Sequence, residues 1–271
     1  MSPLVGWPVA VVVAITLAVG GFAAPMTLAG PADQKAVSAP EIATFQSARF
    51  NLTGFLKVDG ITVDVTGLGS LAPPDKSAAT YKLGPITLET VTIGEAFYGR
   101  SRFDPAWEVL EAPVEFPVNV GPIVHSDMLP KGPFSLQSQE RVDGKLTTKW
   151  SSQLDLGLLL SLSELSPTEE PEVRDALKSL KATLDVWVGN DDQQLYKERI
   201  LFTFTVPPIE PQGDPLPGAI DMTIQYSAHN QPVSIEAPVI ERPTRRPLNF
   251  PKLQTLIQTV TQGMSTSASG S

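Results

Sequence analysis

An α+β fold, with helices set on one face of an antiparallel sheet, is the architecture the sequence predicts, and three observations predict it. Apolar residues recur at a period of two through most of the middle of the chain, the pattern of strands with one face on a core. Helical spacing is confined to one internal region and a short C-terminal stretch. Asp-Gly pairs sit between extended segments, where a two-residue hairpin turn needs positive φ angles.

Taken in order, Ile61, Val63 and Val65 alternate with Thr62, Asp64 and Thr66 behind the turn Val58-Asp59-Gly60-Ile61. From Ile86 to Ile93 the apolar phase flips between Leu88 and Val91, which predicts a bulge. Residues 112–133 carry five prolines in an apolar background and no clean period, so they read as a long ordered loop or a segment hugging a sheet edge. Val142-Asp143-Gly144-Lys145 is a second hairpin turn. Leu156, Leu158, Leu159, Leu160, Leu162 and Leu165 are six leucines in ten residues, too apolar all round for a surface helix.

Ser166-Pro167-Thr168-Glu169 has the capping box with Pro at the first helical position, and Glu169, Glu170 and Glu172 stand where the helix dipole favours negative charge. A helix is expected from there, with Val173, Leu177, Leu180 and Leu184 at helical spacing, running into a strand near Leu184. Gly189-Asn190-Asp191-Asp192 is a third turn. Beyond it Ile200, Phe202, Phe204 and Val206 alternate with Leu201, Thr203 and Thr205, and Ile220, Met222, Ile224 and Tyr226 follow the same rule. After Pro238 the chain reads as a solvated Pro- and Arg-rich linker, a short amphipathic helix capped by Asn249 (Phe250, Leu253, Leu256, Ile257, Val260), and a Ser/Thr/Ala/Gly tail expected to be disordered.

Residues 4–24 form an apolar run, and no charged side chain precedes Asp33. A secretory signal and an uncleaved N-terminal anchor share this pattern, and the choice between them stays open. Either one predicts an extracytoplasmic protein, secreted or held at the cell envelope. The domain reading is therefore 1–24 signal or anchor, 25–39 linker, 40–238 a single folded domain, and 239–271 linker, helix and tail.

A net charge of −9 argues against a nucleic-acid partner held through phosphates. With no Cys and two His, thiolate metal sites, disulfides, a Cys nucleophile and a lipidated cysteine are all excluded, and a His-rich metal centre is not expected. No cofactor is expected either. Gly67-Leu68-Gly69-Ser70-Leu71-Ala72 fits the dinucleotide fingerprint, but Pro73-Pro74 follows where a helix must open, so these read as strand glycines at a bulge. His125-Ser126-Asp127 holds the residue types of a hydrolase triad, yet neighbours in sequence cannot converge on one substrate. Asp191 and Asp192 supply too few oxygens for calcium and read as a solvated turn. Arg242, Arg245 and Arg246 form the one basic cluster, able to touch anionic headgroups but read as part of the linker. Asn51-Leu52-Thr53 is a glycosylation sequon on a strand and carries no weight here. No activated nucleophile can be assembled, so no enzyme is expected.

Several stretches resemble the LppX/LprG lipoprotein family. Phe45-Gln46-Ser47-Ala48-Arg49-Phe50 with Thr53-Gly54 is similar to its opening strand, and Val65-Thr66-Gly67-Leu68-Gly69 through Pro73-Pro74-Asp75 to its second strand and turn. The resemblance continues in Val91-Thr92-Ile93-Gly94 with Phe97-Tyr98 and Trp107, and in Glu140-Arg141-Val142-Asp143-Gly144. It resumes in Leu184-Asp185-Val186-Trp187-Val188-Gly189 with Leu195-Tyr196-Lys197, and in Tyr226-Ser227 with Pro232-Val233-Ser234-Ile235-Glu236-Ala237-Pro238. What it implies is a curved antiparallel half-barrel wrapped over helices, as in LolA/LolB-like carriers, with a lipid-binding cavity between. The family's anchoring cysteine is missing here.

The expectation is therefore a non-enzymatic carrier of lipid or another lipophilic ligand, working at a membrane, with a membrane transporter as a candidate partner. Leu158, Leu162, Val173, Leu177, Leu180, Val186, Phe202 and Phe204 are the candidate walls of its apolar cavity. The alternative is an envelope binding or sensor module with a filled core that contacts a protein or polymer.

Overall fold

Among the described residues, twelve strands form one open, curved sheet. The structure, a computed structural model, describes residues 37–58, 61–102, 105–110, 129, 133–155, 181–206, 215–240 and 242–246. The strands are β1 (Ala48–Val58), β2 (Ile61–Ala72), β3 (Lys76–Leu83), β4 (Ile86–Ile93), β5 (Ala96–Ser101), β6 (Glu108–Leu110), β7 (Ser135–Val142), β8 (Lys145–Asp155), β9 (Lys181–Gly189), β10 (Leu195–Val206), β11 (Leu216–Ser227) and β12 (Arg242–Arg246). In the sheet order β12-β6-β5-β4-β3-β2-β1-β11-β10-β9-β8-β7, every neighbouring pair is antiparallel except β12, which runs parallel to β6.

Two meanders make up this order. One runs outward from β1 to β6 and the other from β7 to β11, and β1 joins them by pairing with β11 from Arg49↔Ser227 to Val58↔Gly218. The chain therefore passes from β6, near one edge, to β7 at the other edge, which gives the Pro-rich segment 112–133 its place in the topology. Of that segment the structure describes Leu129, which is buried in the main core, and Pro133.

The hairpins follow from local chemistry. Asp143 and Gly144 both take positive φ (49° and 77°), as a type I′ turn requires, and Val142 pairs with Lys145 across it. Gly84, at φ 55°, precedes Pro85 between paired Leu83 and Ile86, a II′-like turn in which glycine supplies the first central position. In the third turn the Asp192 carboxylate is structural: it accepts from the Gln194 amide at 3.2 Å and from the Tyr196 hydroxyl at 2.6 Å. It does more than the solvated turn expected of it.

Three further expectations are corrected. β4 pairs with β3 from Ile86 to Ile93 and with β5 from Leu88 to Ile93, both in unbroken register, so there is no bulge between Leu88 and Val91. The phase flips because both faces carry apolar residues there. Gly67 and Gly69 lie in β2, also in unbroken register, and the bulge predicted for them is absent. What they provide is room: a Cβ at Gly67 would stand 2.8 Å from Tyr81 Cδ1, and one at Gly69 would run into the Phe50 ring. Finally, Arg242–Arg246 is a strand against β6, not a free linker.

Among the described residues there is no helix. The expected elements at 1–24, 156–180 and 249–260 lie outside them, and the strand expected near Leu184 begins at Lys181.

Alternation assigns each strand's side chains to two faces. The inner face carries Phe50, Leu52 and Leu56 of β1, Leu184, Val186 and Val188 of β9, Ile200 and Phe202 of β10, and Ile220, Met222, Ile224 and Tyr226 of β11, all buried. At the β1/β11 end, Ile42 and Phe45 pack onto this face with Leu129 and Phe134. That end is locked by Ala43 N to Gln193 O at 2.8 Å, Gln46 N to Asn230 Oδ1 at 2.7 Å and the Val37–Phe134 bridge.

On the outer face of β7–β11 the residues are largely charged and paired. Lys149 Nζ lies 2.9 Å from Asp185, and Arg199 grips Asp221 through two parallel hydrogen bonds of 2.8 and 2.5 Å, which hold its guanidinium above its ordinary pKa. Trp187 packs with Val142 and Tyr196 beneath Lys149 and Lys197, whose ammonium groups stand 5.0 and 4.0 Å from the ring centroid.

Candidate ligand-binding face

One register row crosses most of the inner face. It reads Leu88, Tyr81, Gly67, Leu52, Ile224, Glu198, Val186 and Trp150 through β4, β3, β2, β1, β11, β10, β9 and β8. Leu52, Ile224, Glu198 and Val186, in the middle of the row, are buried, whereas Leu88, Tyr81 and Trp150 toward its ends keep part of their surface accessible. Apolar side chains thus continue beyond the filled centre onto parts of the face that are only half covered.

Three of the expected wall residues lie on this face. Val186, fully buried, stands directly opposite Glu198; Phe202, 1% exposed, is flanked by Ala182 and Ile220. Half-buried Phe204 sits opposite Gly218, where a Cβ would strike its ring. Val186 and Phe202 are two rows apart on the same face, so the sheet aligns the three without bringing them into one cluster. Leu158, Leu162, Val173, Leu177 and Leu180 lie outside the described residues.

The polar groups on this face were not singled out from the sequence. Glu198 is 5% exposed, and its Oε1 accepts a hydrogen bond from the Tyr226 hydroxyl at 2.7 Å. A signal for it existed. Glu198 falls in phase with Ile200, Phe202 and Phe204, and an acid on the apolar phase of a strand is a buried acid. The Tyr81 ring occupies the space left by Gly67, and burial of its phenol pushes it above the usual tyrosine pKa. Ser152 and Thr90 are buried on the same face, and the Ser152 hydroxyl donates to Pro133 O at 3.1 Å.

At the end of the face His229 stands between two rings, 5.6 Å from Phe45 and 5.1 Å from Tyr196, and its Nε2 lies 2.8 Å from Leu195 O. Burial lowers its pKa, against the opposing pull of the Leu195 carbonyl and Asp192. Among the described residues no group of three or more His, Asp or Glu is placed to hold a metal ion. The face offers apolar area, one buried carboxylate–phenol pair and scattered hydroxyls, a composition suited to enclosing an apolar molecule.

No family model matches the chain, and no curated protein does. Solved structures similar to it include LprF from Mycobacterium bovis, at 15% identity and a TM-score of 0.37, covering 72% of this chain and 90% of that one. The Mycobacterium tuberculosis lipoprotein LppX is similar at 16% identity and a TM-score of 0.35, covering 71% and 90% of the two chains. A LolA superfamily protein from Nitrosomonas europaea follows at 10% identity and a TM-score of 0.24, covering 73% and 90%. These neighbours are of the LppX/LprG and LolA types that the sequence resembles. The likeness is broad in coverage and loose in geometry.

Proposed function

We propose that the protein is a non-enzymatic, extracytoplasmic carrier that holds a lipid or another lipophilic ligand against the inner face of the sheet. The observation that carries this reading is the row from Leu88 to Trp150, apolar along nearly its whole length and half covered toward its ends. A sheet face of this kind needs an apolar cover. In this reading the leucine-rich segment 156–165 and the helix expected after Ser166 supply one side of the cover, and acyl chains occupy the space between. Leu158, Leu162, Val173, Leu177 and Leu180 would then face Val186, Phe202 and Phe204.

Burying a chain of about fourteen methylenes is worth on the order of 11 kcal/mol gross. Ordering and association costs offset much of that, which suits reversible transfer. The apolar stretch 4–24 would bring the carrier to the membrane, either as an export signal or as an anchor, and a membrane transporter is the natural partner for loading or release.

Mass spectrometry of organic extracts from protein purified from its native host tests the proposal. Stoichiometric lipid is expected. Protein that carries none, and takes up none from vesicles, would leave a binding module with a filled core.

A further inference from the structure

Among the described residues β7 stands at one edge of the sheet, with β8 as its single strand neighbour. It is an eight-residue strand whose residues 136–141 are all exposed, Leu136 at 58%. Unpaired backbone over such a length is a template for another strand. The opposite edge strand, β12, is shorter and carries Pro243, which has no N–H to offer. β7 has charges only toward its far end, at Glu140 and Arg141, so the half that follows Phe134 is left open.

The start of the described chain points to what pairs there. Val37 forms an antiparallel bridge with Phe134, the residue before β7: the Val37 N–H donates to Phe134 O at 2.9 Å, and the Phe134 N–H donates to Val37 O at 3.1 Å. Phe134 thus turns both backbone groups away from β8. In an antiparallel ladder these groups alternate in direction, so Ser135 turns to its partner Ser151 on β8, and Leu136 turns outward again. The bridge therefore lies on the free side of β7, and it sets the register and direction of the chain that leads into it.

We propose that residues 32–36 continue the Val37 bridge as a further antiparallel strand along the free edge of β7. The register sets Ala36 opposite Ser135, Lys35 opposite Leu136 and Gln34 opposite Gln137. A lysine suits the position beside exposed Leu136, since its aliphatic stem covers apolar surface while the ammonium stays in water. Pro31, without an N–H, ends the strand. Two consequences follow. The edge is closed to pairing with other chains. The chain also runs about 17 Å over these five residues toward the Asp143-Gly144 turn, so the apolar stretch 4–24 joins the domain from that end of the sheet. Neither consequence depends on the carrier reading.

The full chain has no cysteine, so Lys35→Cys combined with Leu136→Cys creates a single pair to cross-link. Facing residues of a hydrogen-bonded antiparallel pair have Cα atoms about 5.5 Å apart, within disulfide reach. Mild oxidation should close this bond within one chain several-fold faster than in the control pair Lys35→Cys with Arg141→Cys. Amide exchange then separates pairing from mere proximity. Lys35→Pro removes the N–H directed at Leu136 O, whereas Gln34→Pro removes one directed at solvent, so only the first should speed exchange at the Leu136 amide several-fold. Equal cross-linking of the two cysteine pairs would overturn the proposal, as would a Leu136 amide that exchanges at the unprotected rate in the wild type. Cross-links that join two chains, with protection at Leu136 that grows with protein concentration, would assign the edge to a second copy and overturn it as well.

Discussion

The Tyr226 hydroxyl donates to Glu198 Oε1 at 2.7 Å across β11 and β10, a buried phenol–carboxylate pair on the inner face. Tyr226→Phe keeps the ring and removes this donor. Leaving a buried acceptor short of a partner costs about 1–3 kcal/mol, and urea unfolding should show a loss in that range with an unchanged slope. Glu198→Gln in the Tyr226→Phe background should recover part of it, since a neutral amide is less costly to leave partly unmet.

Gly67 and Gly69 separate two effects of one methyl group. At Gly69 an added Cβ meets the buried Phe50 ring and lies 2.6 Å from the backbone oxygen of Ala78, so neighbours must move and Gly69→Ala should cost about 1–3 kcal/mol. At Gly67 it meets Tyr81, which is only half-buried and can turn away. Gly67→Ala should therefore lower stability less and bound lipid more. Paired measurements of unfolding midpoint and extractable lipid check the contrast.

His229 gives the fold a pH dependence whose sign follows from its environment. Its folded pKa is lowered below the ordinary value of 6.5, so between the two values the unfolded chain binds more protons and stability rises with pH. Acidification from neutrality through that window should destabilise the domain, and the His contribution should level off once both states are protonated. His229→Gln keeps a donor for Leu195 O without the titration. Its stability should fall less than that of the wild type over the same acid window in thermal scans.

Much of the sheet could be read from the sequence, because one-sided alternation is a direct consequence of a buried face. Ile200, Phe202 and Phe204, Ile220 through Tyr226, and the Asp143-Gly144 turn are placed as the periodicity and turn chemistry require. The same rule misread β4, since it assumes that only one face is apolar, and Val91 with Ile93 occupies the other. It also passed over β12. Arg242-Pro243-Thr244-Arg245-Arg246 has no period, its Pro argues against a strand interior, and an edge position with a parallel partner is settled by tertiary pairing alone. Of the candidate face, the alternation puts Val186, Phe202 and Phe204 on one side of the sheet, while Glu198 stands one step ahead of the apolar run that begins at Ile200 and is not part of it.

A truncation ending at Val239 removes β12 from its place beside β6. Two register positions, Arg242↔Glu108 and Arg246↔Leu110, hold this strand, with an irregularity between them. Its loss removes a few backbone hydrogen bonds worth about 0.5–1.5 kcal/mol each. The shortened protein should still unfold cooperatively, about 1–3 kcal/mol less stable, with faster amide exchange in 108–110. Exchange that stays unchanged there would show that β12 does not protect β6 in solution.

Leu88 and Ile220 distinguish a ligand space from a filled interior. Ile220 is fully buried between Leu56 and Phe202, so Ile220→Phe overpacks in either case and should cost about 1–3 kcal/mol. Leu88 lies on the same face between Tyr81 and Ser101 but is only half-buried. If a ligand chain passes over it, Leu88→Trp places bulk where that chain lies, and bound lipid should fall several-fold while the delipidated protein keeps its wild-type melting temperature. If the face is filled, the indole has nowhere to go and the variant should lose stability much as Ile220→Phe does. Thermal unfolding of delipidated wild type and both variants, with lipid quantified per mole of each before extraction, reads the two outcomes side by side. Equal destabilisation of the variants, with no lipid on the wild type, would remove the carrier reading.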